Sequence, residues 1–332
     1  MFFNALPGLK EELKHVSDEM ERLIPSAWNQ GAVGEIIESV LAGRGKGYRP
    51  SLLLLMGRMG PEYPRCSTRL YRLGALIEFV HMASLIHDDI IDDSLLRRGN
   101  PTIQARFGKE TAVFTGDLIL GQVMSVLLKD NLREAGVLIA GTIQDMCRGE
   151  ITQADCRYKA DVTRDEYYEN IYGKTASMFV TACKIGGMES GCCTETVHIM
   201  GEIGLHLGYL FQIRDDLLDF LPKNEEDGKP VRMDFREGIL TLPVVFCLSN
   251  QEYRAELEQL IGLAKLGNIG NKELDRLDEI IIEAGGFKAA IETAEGHRKR
   301  IEELLDTLPS VKVAKSLGHL ISLLSLPEIQ TG

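Results

Sequence analysis

Aromatic residues and clustered basic residues are both scarce in this chain of 332 residues. Aromatics make up 6% of it, with a single Trp. Leu, Ile, Ala and Met dominate the apolar set instead, which favours helices. The formal net charge is -12, and the absence of a basic cluster argues against a nucleic-acid-binding protein. An anionic substrate is still compatible with this charge, provided that a cation is recruited locally.

Paired cysteines, a basic leader and a long apolar run are also missing. The seven cysteines are odd in number and include no CxxC pair, which favours free thiols in a reducing compartment and a cytoplasmic protein. The segment "MFFNALPGLKEELKHV" carries acidic residues early and no basic region, so we expect no signal peptide. No apolar run approaches the about 18 residues that cross a bilayer, so we expect no membrane span.

The sequence also lacks the patterns that predict β-strands. No segment alternates apolar and polar residues with β-branched enrichment, whereas most of the chain follows a period of about 3.6 residues. Loop-forming stretches separate the helical segments: "GRGKGYRP", "RRGNPT", "SGCCTET" and "NEEDGKPVRMDFREG". We interpret the last as a mobile loop, because apolar helical patterns resume on both sides of it. The sequence predicts one all-α domain over residues 1–332.

What is present is a dense group of aspartates inside an apolar run, "HMASLIHDDIIDDSLLRRGNPT". If residues 80–93 form a helix, Asp88 and Asp92 share a face, about 5–6 Å apart. Two such carboxylates repel unless a hard cation lies between them, and Mg²⁺ prefers one or two carboxylates plus substrate phosphates. The pattern predicts a magnesium site.

One cluster alone is weak support, because about one such pattern arises by chance in a chain this acidic and a solvated helix face would explain it. The pattern recurs, however, at Asp215, Asp216 and Asp219 in "FQIRDDLLDFL", again within apolar helix. Two clusters favour a pocket that holds several divalent ions and a diphosphate.

Basic and polar residues that could contact phosphate lie in loops or near helix ends. Arg offers a bidentate fork to phosphate and Lys a point charge. Singly, each cation also fits a surface residue, and His81 also fits a hydrogen-bonded core histidine. The candidates are Lys46, Arg49, His81, Arg97, Arg98, Lys174 with the hydroxyl donor Thr175, Gln212 and Lys229.

The ordered motifs "GKGYRP", "HMASLIHDDIIDD", "RRGNPT", "GKTAS", "FQIRDDLLD" and "GKPVRMDFREGILTLP" resemble those of the trans-isoprenyl diphosphate synthases over essentially the whole chain. The resemblance implies an all-α, single-domain bundle of long helices around a central cavity, usually as a homodimer. It implies head-to-tail condensation of an allylic diphosphate with isopentenyl diphosphate. It also implies two or three Mg²⁺ ions, for which Mn²⁺ can substitute.

The resemblance assigns roles residue by residue. It implies Asp88, Asp92, Asp215 and Asp219 as metal ligands, with Asp89 and Asp216 supporting them. It implies Arg97, Lys174, Thr175, Gln212 and Lys229 as contacts of the allylic diphosphate, and Lys46, Arg49, His81 and Arg98 as contacts of isopentenyl diphosphate. Among these, Asp88, Asp92, Arg97, Lys174 and Asp215 are the predicted catalytic residues. Many members carry basic residues where this chain has Gly47 and Ile239.

Product length is expected to depend on residues that precede Asp88. Ala83 and Ser84 lie about one turn back, and Val80 and Ile77 lie deeper. Since bulky aromatics one turn back stop elongation at farnesyl length in the family, small residues predict a medium- or long-chain polyprenyl diphosphate.

Four other interpretations stay open at this point. They are a geranylgeranyl or farnesyl diphosphate synthase, a class I terpene cyclase, a non-catalytic subunit of a heteromeric synthase, and an inert helical scaffold that binds divalent ions.

Overall fold

The computed structural model describes residues 8–45, 47–221, 231–322, 324–327 and 329. Two predicted contact residues, Lys46 and Lys229, lie outside the described residues. The described part is almost entirely helical, which confirms the all-α prediction. The helices are α1 (Leu9–Arg22), α2 (Gly31–Ala42), α3 (Tyr48–Gly57), α4 (Tyr63–Ile91), α5 (Ile103–Phe107), α6 (Lys109–Lys129), α7 (Arg133–Cys156), α8 (Arg164–Ile171), α9 (Ser177–Glu189), α10 (Thr194–Leu218), α11 (Met233–Arg236), α12 (Leu242–Leu248), α13 (Gln251–Lys265), α14 (Asn271–Glu283), α15 (Gly286–Asp306) and α16 (Val311–Ser322), with a 3₁₀ turn at Ser26–Trp28 and a π-helical turn at Tyr172–Ala176.

Two compact units can be distinguished in the chain. The first comprises Met1–Ile143, Thr181–Gly201 and Pro309–Leu317, and the second comprises the remainder. In the first unit α4 packs against α1, α3 and α6, and in the second α12 packs against α8, α13 and α15. The expectation of one domain over 1–332 stays a prediction.

Helix α4 carries the first aspartate cluster, and its sequence explains its burial. Apolar residues occur nearly all round it, so the helix is enclosed on several faces rather than along one stripe. It begins beside Pro64, which is tolerated in a first turn, and ends at Ile91 with Asp92 as its C-cap. The expected helix therefore ends two residues earlier than the pattern predicted.

A short hairpin interrupts the helical order, where no strand was expected. Strands β1 (Leu96–Arg97) and β2 (Asn100–Pro101) pair antiparallel. Arg98 and Gly99 between them have φ of 53° and 77°. Positive φ at both central residues matches the tight turn that suits a right-handed hairpin twist. A two-residue strand is too short to produce a detectable alternation, which explains why the pattern missed it.

The predicted loop "NEEDGKPVRMDFREG" is described only in part, because residues 222–230 lie outside the described residues. Its later part forms helix α11, so the loop interpretation was wrong there. Arg232 precedes this helix with φ of 60° and donates three side-chain hydrogen bonds to Asp278: from Nε to Oδ1 and Oδ2 near 3 Å, and from Nη2 to Oδ2. This ion pair anchors the start of α11.

Helix α6 is long and apolar enough to cross a membrane by length and composition, although no such segment was expected. Between Glu110 and Lys129 its one charged residue is Asp117, because Thr, Gly, Ser and Gln separate the apolar residues without adding charge. A core helix passes the same test, and α6 packs against α4 and α5. The composition is therefore weak support for a membrane span.

Candidate active site

The first aspartate cluster lies at the C-terminal end of α4. The Asp92 amide donates to the Asp88 carbonyl over 2.9 Å, so the two side chains follow each other by one helical turn. The last carbonyls of a helix carry partial negative charge, which disfavours carboxylates and favours cations there. The first cluster therefore lies where the backbone itself adds to the need for a cation.

Two other aspartates of this cluster have cationic partners nearby in the chain. Arg97 reaches buried Asp89 with Nε and Nη2, at 2.9 and 2.8 Å from Oδ1. Lys109 Nζ lies 2.9 Å from Asp93 in an exposed ion pair. Asp89 and Asp93 thus hold the local structure, whereas Asp88 and Asp92 are the predicted metal-facing pair.

A buried amide ties the hairpin to the end of α4. Gln104 donates through Nε2 to the main-chain carbonyls of Asp89 and Ser94. Thr102 caps α5 and donates its hydroxyl to the same Ser94 carbonyl over 2.8 Å. These bonds fix the segment that presents Arg97.

Three of the residues that the resemblance assigned to isopentenyl diphosphate lie near one another in the first unit. Burial lowers the pKa of Arg49 to about 10, although the nearby Glu78 opposes this effect and Arg98 adds to it. Burial, followed by Arg49, Arg98 and Arg97, lowers the pKa of His81 well below its usual value. His81 is therefore a neutral imidazole beside several guanidinium groups.

Glu78 is the internal counter-charge of this group. It is 5% exposed, and burial raises the pKa of its carboxyl while Arg49 and Arg98 lower it. An acidic residue inside "ALIEFVH" was a usable signal that the sequence interpretation overlooked.

The missing basic residue at Gly47 has a conformational explanation. Gly47 has φ of 67° and directly precedes α3. Side chains are disfavoured in this left-handed region, where glycine has no such cost. Glycine therefore takes up this turn without the steric cost that a lysine or an arginine would have there.

The residues predicted to control product length occupy two environments. Ala83, Val80 and Ile77 are at most 3% exposed. Ser84 is half-buried and donates its hydroxyl to the His81 carbonyl over 2.9 Å. Their control of product length stays a prediction.

The second cluster lies at the C-terminal end of α10, where α10 ends at Leu218 and the Asp219 amide still donates to the Asp215 carbonyl. A cavity of about 130 Å³ in the second unit adjoins it. The polar residues lining this cavity include Gln153, Tyr167, Asn170, Lys174, Gln212, Asp215, Asp216, Asp234 and Thr241. The structure thus brings Lys174, Gln212 and Asp215 together at one cavity, and their roles there stay a prediction.

The π-helical turn presents Lys174 and Thr175. Glycines allow it to approach its neighbours closely: a Cβ at Gly149 of α7 would lie 2.9 Å from the Gly173 Cα, and a Cβ at Gly208 of α10 would lie 2.4 Å from the Ala176 Cα. Lys174 Nζ donates to Gln153 Oε1 over 3.2 Å. Single π turns inside helices are frequent at functional sites.

Four side chains from three elements form a continuous hydrogen-bonded chain. Tyr167 donates to Asp216 Oδ2 over 2.6 Å, and Gln212 Nε2 donates to Asp216 Oδ1 over 2.9 Å. Thr175 donates its hydroxyl to Gln212 Oε1 over 2.6 Å. The one hydroxyl proton of Thr175 is used inside the protein here, so its predicted donation to a substrate would require a rearrangement.

Asp234 adds a further carboxylate to this cavity. Its amide donates to Asp219 Oδ2 over 3.1 Å. Burial raises the pKa of Asp234 to about 8, with Asp219, Asp216 and Asp215 adding to the effect and Lys174 opposing it. Burial also raises the pKa of Asp216 to about 6, although Tyr167 and Gln212 lower it. So many adjacent carboxylates favour a bound cation.

The donor set fits Mg²⁺, because carboxylate oxygens are the hard ligands that this ion prefers. Among the residues that the structure describes, no group of three or more His, Cys, Asp or Glu side chains is arranged to hold a metal ion. Mg²⁺ usually keeps waters and substrate phosphates besides one or two carboxylates, so it does not require such a preformed group.

Ile239 lines the cavity of the second unit. It places an apolar side chain in a lining that also contains Lys174, so the basic contact that the resemblance implies at this position is missing.

The sequence interpretation missed Tyr167 and Asp234 as members of this site. Both contacts join residues that are distant in sequence, and although Asp234 lies within the motif "GKPVRMDFREGILTLP", it was given no role there. Tyr167 and Asp216 are 49 residues apart. No spacing rule would have paired them.

Comparisons with known proteins agree with the geometry. The chain is 36% identical over 249 residues to heptaprenyl diphosphate synthase component 2 of Geobacillus stearothermophilus, covering 75% of this chain and 76% of the relative. It is 34% identical over 293 residues to the chloroplastic solanesyl-diphosphate synthase 2 of Oryza sativa subsp. japonica, covering 86% of this chain and 70% of that protein.

A solved structure, the heptaprenyl diphosphate synthase of Staphylococcus aureus, has a TM-score of 0.85 at 29% identity, covering 96% of this chain and 98% of that one. The family model for polyprenyl synthetase matches residues 30–274. The chain belongs to the polyprenyl synthetase family, whose members are prenyltransferases.

Proposed function

We propose that this protein condenses an allylic diphosphate with isopentenyl diphosphate, head to tail and with Mg²⁺, and releases all-trans polyprenyl diphosphates longer than farnesyl diphosphate. The observation that carries the proposal is the presence of two intact aspartate clusters, each at the C-terminal end of a buried helix. A non-catalytic subunit would typically lack one of them, and a class I terpene cyclase typically carries a different second motif.

Charged side chains bind and orient the allylic diphosphate in this proposal. In the second unit, Lys174 is the proposed donor to phosphate oxygens. In the first unit, Arg97 is the proposed donor and is held for this role by Asp89. Mg²⁺, when bound, neutralises the charge that develops on the leaving diphosphate. The apolar residues around the reacting carbons must exclude water, since an allylic cation would otherwise be hydrolysed.

Isopentenyl diphosphate is bound by Arg49 and Arg98. The neutral imidazole of His81 adds a hydrogen bond without adding charge. The isopentenyl double bond attacks the allylic carbon, and a proton is then lost from the new carbon chain. No side chain stands out as the general base, so we assign proton removal to the released diphosphate.

Product length beyond farnesyl is supported by two observations. Ala83 and Ser84 are small where aromatics would close the path of a growing chain, and several relatives are named heptaprenyl or solanesyl diphosphate synthases. A geranylgeranyl diphosphate synthase is the second candidate, because a solved structure with that name, from Lactobacillus brevis, has a TM-score of 0.86 at 28% identity.

The assembly and location belong to the same proposal. We assign a cytoplasmic homodimer, with no nucleic acid as a partner. The name "component 2" of the Geobacillus relative supports an alternative in which a second polypeptide completes the synthase. Light scattering on the purified chain distinguishes a dimer from a monomer.

Incubation of the purified chain with Mg²⁺, labelled isopentenyl diphosphate and a short allylic primer tests the reaction. Elongated allylic products support the proposal. A cyclised product from the primer alone would indicate a cyclase. No elongation under any metal condition would contradict the proposal for the chain by itself.

A further inference from the structure

The Tyr167 hydroxyl is the part of the hydrogen-bonded chain that no motif of the family resemblance includes. Tyr167 lies on α8 and is 4% exposed, and its partner Asp216 is 3% exposed. The contact is short, at 2.6 Å, and joins a phenol to a carboxylate. A charge-assisted bond between two buried groups is stronger than a neutral one.

Asp216 has both carboxylate oxygens engaged by protein donors. Tyr167 binds Oδ2 and Gln212 binds Oδ1, so the carboxylate plane is held from two sides. Gln212 is oriented in turn by Thr175, next to Lys174. A rotation of Asp216 would therefore shift a charge that interacts electrostatically with Asp215 and, through Gln212, would disturb the turn that carries Lys174.

The position of Tyr167 is itself well defined. Thr163 and Glu166 form a reciprocal capping box at the start of α8, and the Tyr167 amide donates to the Thr163 carbonyl over 3.0 Å. A capped first turn resists fraying, so the phenol is presented by a fixed backbone.

From these contacts we infer that Tyr167 is a positioning residue, which fixes Asp216 beside Asp215 and, through Gln212, fixes the Lys174–Thr175 turn for a divalent cation and the allylic diphosphate. This inference rests on the proposed function for the identity of the ligands. Tyr167 also lines the cavity, but its hydroxyl proton is donated to Asp216, so we assign it an action through Asp216 and Gln212 rather than a contact with the substrate.

The test compares Tyr167→Phe with Tyr168→Phe. Both remove one phenol oxygen from the same helix, but the Tyr168 hydroxyl contacts His297 Nε2 at 3.1 Å instead of the second cluster. Mn²⁺ binding to the purified protein is measured by electron paramagnetic resonance, and the KM values for the allylic primer and for isopentenyl diphosphate are measured separately.

Loss of a partner that orients a metal ligand typically lowers metal affinity or activity about 10- to 100-fold. We expect Tyr167→Phe to weaken Mn²⁺ binding and to raise the KM for the allylic primer within this range, with the KM for isopentenyl diphosphate unchanged. Tyr168→Phe should leave all three within about twofold of the parent protein, since it removes no contact to Asp216. Equal behaviour of the two variants, or equal rises in both KM values, would overturn the inference.

Asp216→Asn alone, for which the same selective losses are expected, keeps the inference testable if Tyr167→Phe does not fold, and a double variant tests the path between the two residues. Asp216→Asn removes the charge that needs the phenol donor, so Tyr167→Phe added to it should lower Mn²⁺ affinity no further than Asp216→Asn alone. A further loss in the double variant contradicts an action through Asp216. If the parent protein binds Mn²⁺ but elongates nothing, the proposed function fails while this inference is still decided by the binding data.

Discussion

The aspartates of the first cluster have different surroundings, so their roles can be tested separately. Asp88 lies within the last turn of α4, whereas Asp93 lies beyond the helix and pairs with Lys109 at the surface. The sequence predicted the pair Asp88 and Asp92 from spacing alone, since helical periodicity is a local property. It could not predict the Asp89–Arg97 ion pair, which depends on a hairpin turn.

Substitution of these two aspartates gives a matched comparison. Asp88→Asn should lower kcat for elongation roughly 10²–10³-fold, the usual cost of removing one group that stabilises developing charge. Asp93→Asn should retain activity within about twofold, because an exposed ion pair contributes about 0–1 kcal/mol and Asn tolerates the positive φ of this position. Steady-state assays at saturating Mg²⁺ measure both. Equal losses of kcat in the two variants would contradict different roles for Asp88 and Asp93.

Contacts between helices place a cation and a hydroxyl group, those of Lys174 and Thr175, beside the second cluster. The π-helical turn fits between α7 and α10 because both helices present glycine to it. The sequence predicted the helices themselves, including α10 with its aspartates. It did not predict the π turn or the hairpin, because both are set by contacts between elements rather than by periodicity.

Glycine substitutions in α7 test this close approach. Gly149→Ala should lower the free energy of unfolding by about 1–3 kcal/mol, since the added methyl group meets backbone that cannot move freely. Gly141→Ala in the same helix has open space at its Cβ and should stabilise the protein by about 0.5–1 kcal/mol. Urea unfolding followed by circular dichroism gives both values. A neutral or stabilising Gly149→Ala would contradict the tight contact.

The packing of α10 against α15 produces an acid-sensitive pair. The Nδ1 atoms of His206 and His297 lie 2.9 Å apart. Burial, followed by the nearby His206, lowers the pKa of His297 from 6.5 to about 4. Tyr168 and Tyr209 cover the same ring, and Glu202 and Arg300 lie near His206.

The sign of the pH effect follows from this depressed pKa. The folded state holds the neutral imidazole, so its contribution to stability is present above pH about 6.5 and is lost as the pH falls towards about 4. We expect the Tm of His297→Gln to fall less across this window than the Tm of the parent protein. His198→Gln, an exposed control, should follow the parent curve. Parallel curves for the parent and His297→Gln would refute the assignment.

At the scale of the whole molecule, the charge of -12 is reconciled with diphosphate substrates by local cations. Each unit contains its own set: Arg49, Arg97 and Arg98 in the first, and Lys174 in the second. Composition predicted the fold class and the ordered motifs predicted the family. Product length was not derivable in the same way, because it depends on the packed surroundings of a whole helix rather than on a few charged positions.

The chain length of the product made by the purified protein tests the central claim most directly. The protein is incubated with Mg²⁺, a farnesyl diphosphate primer and labelled isopentenyl diphosphate, and the released diphosphates are identified by mass spectrometry, with a chelator control. We predict Mg²⁺-dependent products longer than farnesyl diphosphate, which Ala83→Phe shortens. Failure to elongate farnesyl diphosphate, with farnesyl diphosphate as the sole product from shorter primers, would contradict the account.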